Sequence, residues 1–317
     1  MKQRDFEKTY EETWKQLERW LDTPDTGDVD PDIVPGLYRK VCHHLALTRT
    51  RQYSPALEDR LNRLALRGHR ALYAARVSTF GNLWRLFGST FPRSVRQNAW
   101  VVLVSAILFY GPFAAMVGAI AINPSLAYSV MSADQLDQIE AMYSDVENDS
   151  SRDSTTDLMM FGHYIYNNIG IGFMTFAAGV VLGLGSVFVL VSNGLFIGAV
   201  FGYLTHAGLG HVLYPFVAGH GAFELNAIVL AGACGLRLGM SLVAPGRRRR
   251  SDALRHTASD TMPMVYGFTA MLLIAAFIEA FWSSTSWSPP TVKYTVAALL
   301  WVGVALYFVF AGRRDAA

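Results

Sequence analysis

Residues 98–122 read NAWVVLVSAILFYGPFAAMVGAIAI, without one charged side chain. A helix needs roughly 17–25 mainly apolar residues to cross the hydrocarbon of a bilayer, so this stretch predicts a membrane span. Further apolar blocks follow at 164–191, 194–209, 214–243, 262–282 and 291–311. Working outward, the 317 residues are 52% hydrophobic and 16% charged, against about 25% charged in an ordinary soluble domain. The same figures exclude a disordered chain, and two cysteines, Cys42 and Cys234, imply no disulfide framework. The expected fold is all-α: a polytopic membrane helix bundle of six spans with a small N-terminal cytoplasmic helical domain. The third block is short and glycine-rich, so a re-entrant half-helix competes with a full span there.

Charge decides between them. Residues 1–98 hold 17 Lys/Arg against 12 Asp/Glu, while residues 123–162 hold one basic residue, Arg152, against Asp134, Asp137, Glu140, Asp145, Glu147, Asp149, Asp153 and Asp157. Four arginines at 247–250, joined by Arg255, follow the fourth span, and Arg313 and Arg314 stand near the end. Directly after an apolar helix such a run reads as a cytoplasmic anchor, so no nucleic-acid partner is expected. Six crossings put the head and both arginine groups inside and the acidic loop outside. Removing one crossing would put the run of four on the wrong side. Both termini are therefore expected in the cytoplasm, and the charged first 30 residues do not read as a secretory signal.

The head, residues 1–77, reads as short helices. Phe6, Tyr10, Trp14, Leu17 and Leu21 form one apolar stripe, Leu37, Val41 and Leu45 a second, and Leu57, Leu61, Leu64 and Leu72 a third, with a break over 23–35. Arg60, Arg63, Arg67 and Arg70 make a basic, solvated face on the third helix. Residues 78–97, with Phe80, Leu83, Trp84, Phe87 and Phe91 among arginines, predict an amphipathic elbow in the headgroup layer, broken by Pro92 before the membrane domain at 98–317.

Small residues four apart let helix backbones approach closely in lipid. Gly179 and Gly183, then Gly194, Gly198 and Gly202, then Gly235 and Gly239 have this spacing. They predict tight helix packing within the chain or a homodimer seam.

An ionisable side chain inside a span is costly and needs a reason. Glu224 and Glu279 both qualify, and His220 stands one turn before Glu224 on the same helix face. His163, His206 and His211 map to the same membrane boundary, with Asn167 and Asn168 one turn inside it; no lysine or arginine is read at that depth. Three readings compete for a polar cluster of His220, Glu224, Glu279, Asn168 and His206: a divalent-metal or proton-handling site built from His220, Glu224 and Glu279, with His206 or His211; a transport relay using the same acids; and buried polar pairs that fix helix register. Histidine with carboxylate suits zinc, and an open coordination position would permit hydrolysis. No His-Glu-x-x-His pair is present, and no catalytic residue is assigned. Buried carboxylates of this kind would be neutral or metal-bound.

The chain resembles the stage II sporulation protein M family of bacterial integral membrane proteins. The resemblance rests on Gly179-Val-Val-Leu-Gly-Leu-Gly185 with Ser192-Asn-Gly194, and most on His220-Gly-Ala-Phe-Glu-Leu-Asn-Ala-Ile228 leading into Ala231-Gly-Ala-Cys-Gly-Leu-Arg237. Ala276-Phe-Ile-Glu-Ala-Phe281 adds to it, as do Leu37-Tyr-Arg39 and Leu61-Asn62 less distinctively. The resemblance implies a bacterial inner membrane protein that acts as a non-enzymatic scaffold. In the sporulation member the partners cleave peptidoglycan. Relatives in bacteria that form no spores are often encoded beside MoxR-type AAA ATPases and proteins with a von Willebrand-type domain, which implies a complex-forming membrane component with an ATPase or envelope proteins as candidate partners. The long head, six apparent spans and acidic loop set this chain apart from the sporulation member. The outward-facing His/Glu site, for metal-dependent chemistry or for ion or small-solute transport, is the alternative function.

Overall fold

The computed structural model describes residues 2–22, 30, 33–73, 79–148, 154–285 and 288–313, and no strand occurs among them. The chain divides into two compact units, Met1–Asn82 and Leu83–Ala317.

The first unit is built from α1 (Gln3–Asp22), α2 (Val34–Thr50) and α3 (Pro55–Tyr73). Helical spacing puts Phe6, Trp14 and Leu17 on one face of α1, where they share a core with Val34, Leu37 and Val41 of α2 and Leu57, Leu61 and Leu64 of α3. Trp14 is wholly buried, so its indole N–H needs an acceptor; it donates to His44 Nδ1 at 3.0 Å. That bond requires a neutral ring. Burial, helped by His43 and Lys40, holds His44 below its ordinary value of 6.5. The basic face expected on α3 is partly turned to use within the unit. Arg60 reaches Glu11 and Glu18 at 3.1 and 3.2 Å and lies 5.6 Å from the centre of the Trp14 ring. Arg67 pairs with Asp22, while Arg63 and Arg70 stay exposed. Most of the break at 23–35, and Arg314, lie outside the described residues.

The boundary between the units falls within α4 (Thr79–Arg85), and the second unit continues with a π-helical turn (Leu86–Thr90) and α5 (Phe91–Gln97). Then come α6 (Ala99–Ile122), α7 (Ala133–Asn148), α8 (Ser154–Ala177), α9 (Leu184–His206), α10 (Gly210–Val243), α11 (Arg250–Ile278) with a π-helical turn (Glu279–Ser283), and α12 (Pro290–Phe310). Pro92 does not break the helix before the first span. It sits where the π-helical turn runs into α5, with helical backbone on both sides (Thr90 φ −69°, ψ −46°). The Phe87 carbonyl accepts from the Tyr307 hydroxyl at 2.5 Å, and the bend comes at Asn98 (φ −106°, ψ 19°). Leu83 and Trp84 are exposed, whereas Phe91 is buried against Gly267 of α11 and Phe308 of α12. The side chain of Phe80 lies outside the described residues.

Among the described residues five stretches are long and apolar enough to cross a membrane: α6, α9, α10, Arg250–Ser283 and α12. The chain is a membrane protein with an all-α bundle. The sixth expected span, α8, matches α6 in length at 24 residues, but His163, Asn167 and Asn168 dilute its apolar character. The second and third blocks also divide elsewhere than hydropathy places them. One helix ends at Ala177; Leu182 (φ 52°) and Gly183 (φ 84°) then turn the chain through the left-handed region, where glycine has no Cβ to clash. The next helix, α9, runs 23 residues, so a half-helix is excluded. The break falls inside an unbroken apolar run, and only its glycines signal it.

All seven spaced glycines are consumed within the chain. A Cβ added at Gly194 would overlap the Phe109 carbonyl of α6; at Gly198 it would lie 2.6 Å from the Phe113 carbonyl, and at Gly202 2.9 Å from Ile120 Cβ. Gly179 backs onto Gly235, and Gly183 onto Gly239, so α10 runs almost in backbone contact with the turn between α8 and α9. A homodimer seam through these glycines is thereby corrected: their faces are already covered. Hydroxyls buried in the same seams return to backbone carbonyls, Ser105 to Val229 at 2.7 Å and Ser186 to Thr175 at 2.6 Å. The described part of the acidic loop docks through α7, where Leu136 is buried and Glu140 accepts a 2.7 Å hydrogen bond from the Tyr203 hydroxyl of α9. Asp134 and Asp137 face outward; the side chains of Asp145, Glu147, Asp149, Asp153 and Asp157 lie outside the described residues.

Candidate functional site

The polar residues of the bundle meet where α8, α10 and the end of α11 pack together. On α10, His220 and Glu224 stand one turn apart on one face, with His220 Nε2 3.7 Å from Glu224 Oε2. The π-helical turn widens the end of α11 and faces Glu279 and Ser283 toward α10. Single π-turns of this kind recur at functional sites. Ligand atoms of His220, Glu224 and Glu279 all lie within 4.8 Å of one another.

Two of the three, His220 and Glu279, are held by partners outside the trio. Ser283 Oγ lies 3.0 Å from His220 Nδ1. With Nδ1–H donating to that hydroxyl, the Nε2 lone pair is free and directed at the carboxylates. Asn168 of α8, itself buried, donates Nδ2–H to Glu279 Oε2 at 3.3 Å, and Asn167 donates to Asn168 Oδ1 at 3.1 Å. Rings from α7 and α10 cover the site: Tyr143 meets Phe216 edge-on at 6.1 Å, and Phe216 meets His220 at 5.4 Å. Burial, and after it the neighbouring Glu279, Tyr164 and Glu224, raise Tyr143 well above its ordinary 10.0.

Two carboxylates and one neutral imidazole form a donor set suited to a divalent cation, with an open position for a fourth ligand. An imidazole whose second nitrogen is fixed by an oxygen, beside a carboxylate, Glu279, that is itself hydrogen-bonded, is also the outer-shell pattern of metal-binding histidine. Tetrahedral bonds of about 2.0–2.2 Å put donor atoms roughly 3.4 Å apart. The His220–Glu224 pair at 3.7 Å is close to that, and all three ligand atoms lie within 4.8 Å of one another.

Of the expected cluster, the structure brings together His220, Glu224, Glu279 and Asn168. It does not bring in His206, which is exposed at the end of α9. His211 is exposed too and bonds the Gly208 carbonyl, and His163 is exposed on α8. Two contributors escaped sequence reasoning. Ser283 looked like an ordinary loop residue. Lys293 contradicts the reading that no cation reaches this depth: it enters from α12 and donates to the Ser283 and Thr285 carbonyls, both at 2.8 Å. Its position four residues after Pro289, inside the last apolar block, was the available signal.

A domain of unknown function matches residues 4–74. Comparison with curated proteins and with solved structures found no match. The family described as Stage II sporulation protein M matches residues 99–284, which run from α6 through the π-helical turn and include His220, Glu224 and Glu279. The match covers more than half of the chain, which therefore belongs to the stage II sporulation protein M family.

Proposed function

We propose that the membrane domain works around a divalent-cation site whose ligands are His220, Glu224 and Glu279. The observation that carries this reading is the convergence of the three ligand atoms within 4.8 Å in an otherwise apolar bundle. Charge supports it. Two half-buried carboxylates side by side need compensation, and Lys293, which enters from α12, is engaged by two backbone carbonyls. A dication offsets both charges at once. Bound there it would act as a Lewis acid or as the transported ion; the chain's own part is to orient Nε2 through Ser283 and Glu279 through Asn168, and to shield the site with Tyr143 and Phe216. We further infer a multi-pass protein of the bacterial inner membrane with α8 as the sixth crossing and both termini cytoplasmic, as the arginines at 247–250 favour.

The test is a titration of chelator-treated protein with zinc, manganese, calcium and magnesium, followed by thermal unfolding. A ligand that binds only the folded state raises Tm by mass action. A metal-specific rise that disappears in Glu224→Gln and Glu279→Gln supports the site; equal curves with and without every metal dismiss it.

A second reading, a scaffold that recruits a MoxR-type ATPase or envelope proteins, is favoured by one observation. The head is a compact unit of its own with an exposed strip of Arg63, Leu66 and Arg70 on α3. Gentle solubilisation of tagged protein that yields no partner under any growth condition would remove it.

A further inference from the structure

Arg237 follows His220 by almost five turns of α10, roughly 25 Å along the axis. A separate cavity of about 570 Å³ opens there among the turn before α9, the last third of α10 and the first turns of α11. Its apolar wall includes Leu184, Val187, Leu236 and Met240, and its polar lining includes Arg237, Arg248 and Ser241. No carboxylate lines it among the described residues. Arg237 Nε is buried without a hydrogen-bond partner, and among the described residues its guanidinium forms no ion pair. A buried, unsatisfied charged donor is costly, so this group calls for an anion that the chain does not provide. Ser241 supplies no charge to answer it, and its hydroxyl donates to the Leu238 carbonyl at 2.7 Å. The N-terminus of the 23-residue α9 opens beside the same cavity and adds the positive end of its dipole.

The walls select among anions. A small hydrated anion gains nothing from Leu184, Val187 and Met240, whereas a phosphate that carries hydrocarbon fills both halves. Arginine forks match phosphate oxygens, and basic pockets between membrane helices suit anionic headgroups. We propose that this cavity binds one anionic phospholipid per chain, its phosphate on Arg237 and Arg248 and an acyl chain along Leu184, Val187 and Met240.

The test uses the full chain, purified and stripped of lipid in detergent, with phosphatidylglycerol, phosphatidylcholine and inorganic phosphate as probes in native mass spectrometry. One phosphatidylglycerol should bind per chain, in preference to phosphatidylcholine, and resist excess inorganic phosphate. Losing a phosphate-bound arginine should weaken it roughly tenfold in Arg237→Gln and severalfold in Arg248→Gln. Arg248 is exposed, so its substitution leaves the packed core alone and reads the site even if Arg237→Gln fails to fold. Unchanged affinity in Arg248→Gln, equal binding of phosphatidylcholine, or displacement by inorganic phosphate at equal concentration would each overturn the proposal.

Discussion

Gly179→Ala adds one methyl group where α10 passes the turn that follows α8. That methyl would overlap the Cα, carbonyl carbon and oxygen of Gly235. A side chain in its path could rotate away, but backbone in mid-helix cannot, so the two elements must separate. Overpacking costs about 1–3 kcal/mol, and the upper part of that range is expected here because nothing flexible yields. For a unit of this size roughly 2–4 °C of Tm follows each kcal/mol, which gives a fall of about 4–12 °C. Gly118→Ala is the matched control: on α6 an added Cβ meets nothing within 4 Å, and Ala is favoured over Gly in a helix by up to about 1 kcal/mol. The assay is thermal unfolding of both variants and the parent in one detergent at one scan rate, since such unfolding is often irreversible. If the two variants melt together, close contact at Gly179 is refuted, and with it the assignment of the glycine pairs to packing within the chain.

Three further outcomes are expected. His44 sits below its ordinary 6.5 in the folded head, so the unfolded chain binds the proton more readily. The stability it contributes is complete above about pH 6.5 and is lost as pH falls through that value toward the folded one. Hydrogen exchange of α1–α3 in the intact protein, corrected for intrinsic rates, should show weaker protection at about pH 5.5 than at about pH 7.5; equal protection would contradict the neutral Trp14–His44 bond. Arg60→Met keeps the packing on Trp14 but loses Glu11 and Glu18, so exchange in α1 should rise by about 1 kcal/mol of local stability, the partly exposed pair being screened by solvent. A larger effect at high salt than at low would refute an electrostatic origin. Ser283→Ala removes the partner of His220 Nδ1 and should weaken metal binding by about 10–100-fold without abolishing it, measured by competition with a chelating dye; unchanged affinity would remove Ser283 from the site.

Much of this architecture is legible in sequence, for identifiable reasons. Apolar blocks of bilayer length report spans because lipid demands them everywhere along a crossing helix. The glycine spacing announces close approach, yet says nothing of what approaches: Phe109 and Phe113 for one helix, Gly235 and Gly239 for another, become partners only through the tertiary fold. His220 and Glu224 are legible as a pair since one helical turn joins them. Glu279 and Asn168 invite suspicion as polar groups in apolar runs, but their meeting depends on how three helices cross. Ser283 and Lys293 are too ordinary in type, and too near a chain turn, to stand out. His206 shows the opposite error. Nearness to the same boundary in hydropathy is not nearness in space, and the end of α9 leaves it exposed.

The central claim is that His220, Glu224 and Glu279 hold one divalent cation. Elemental analysis of protein purified without chelator, parent beside His220→Ala, tests it most directly. The account predicts close to one zinc or similar ion per chain in the parent and its loss in the variant, with both proteins folded by hydrogen exchange. An ion-free parent, or a metal content that His220→Ala leaves unchanged, would contradict it and return the trio to the role of buried polar contacts fixing the register of α10 and α11.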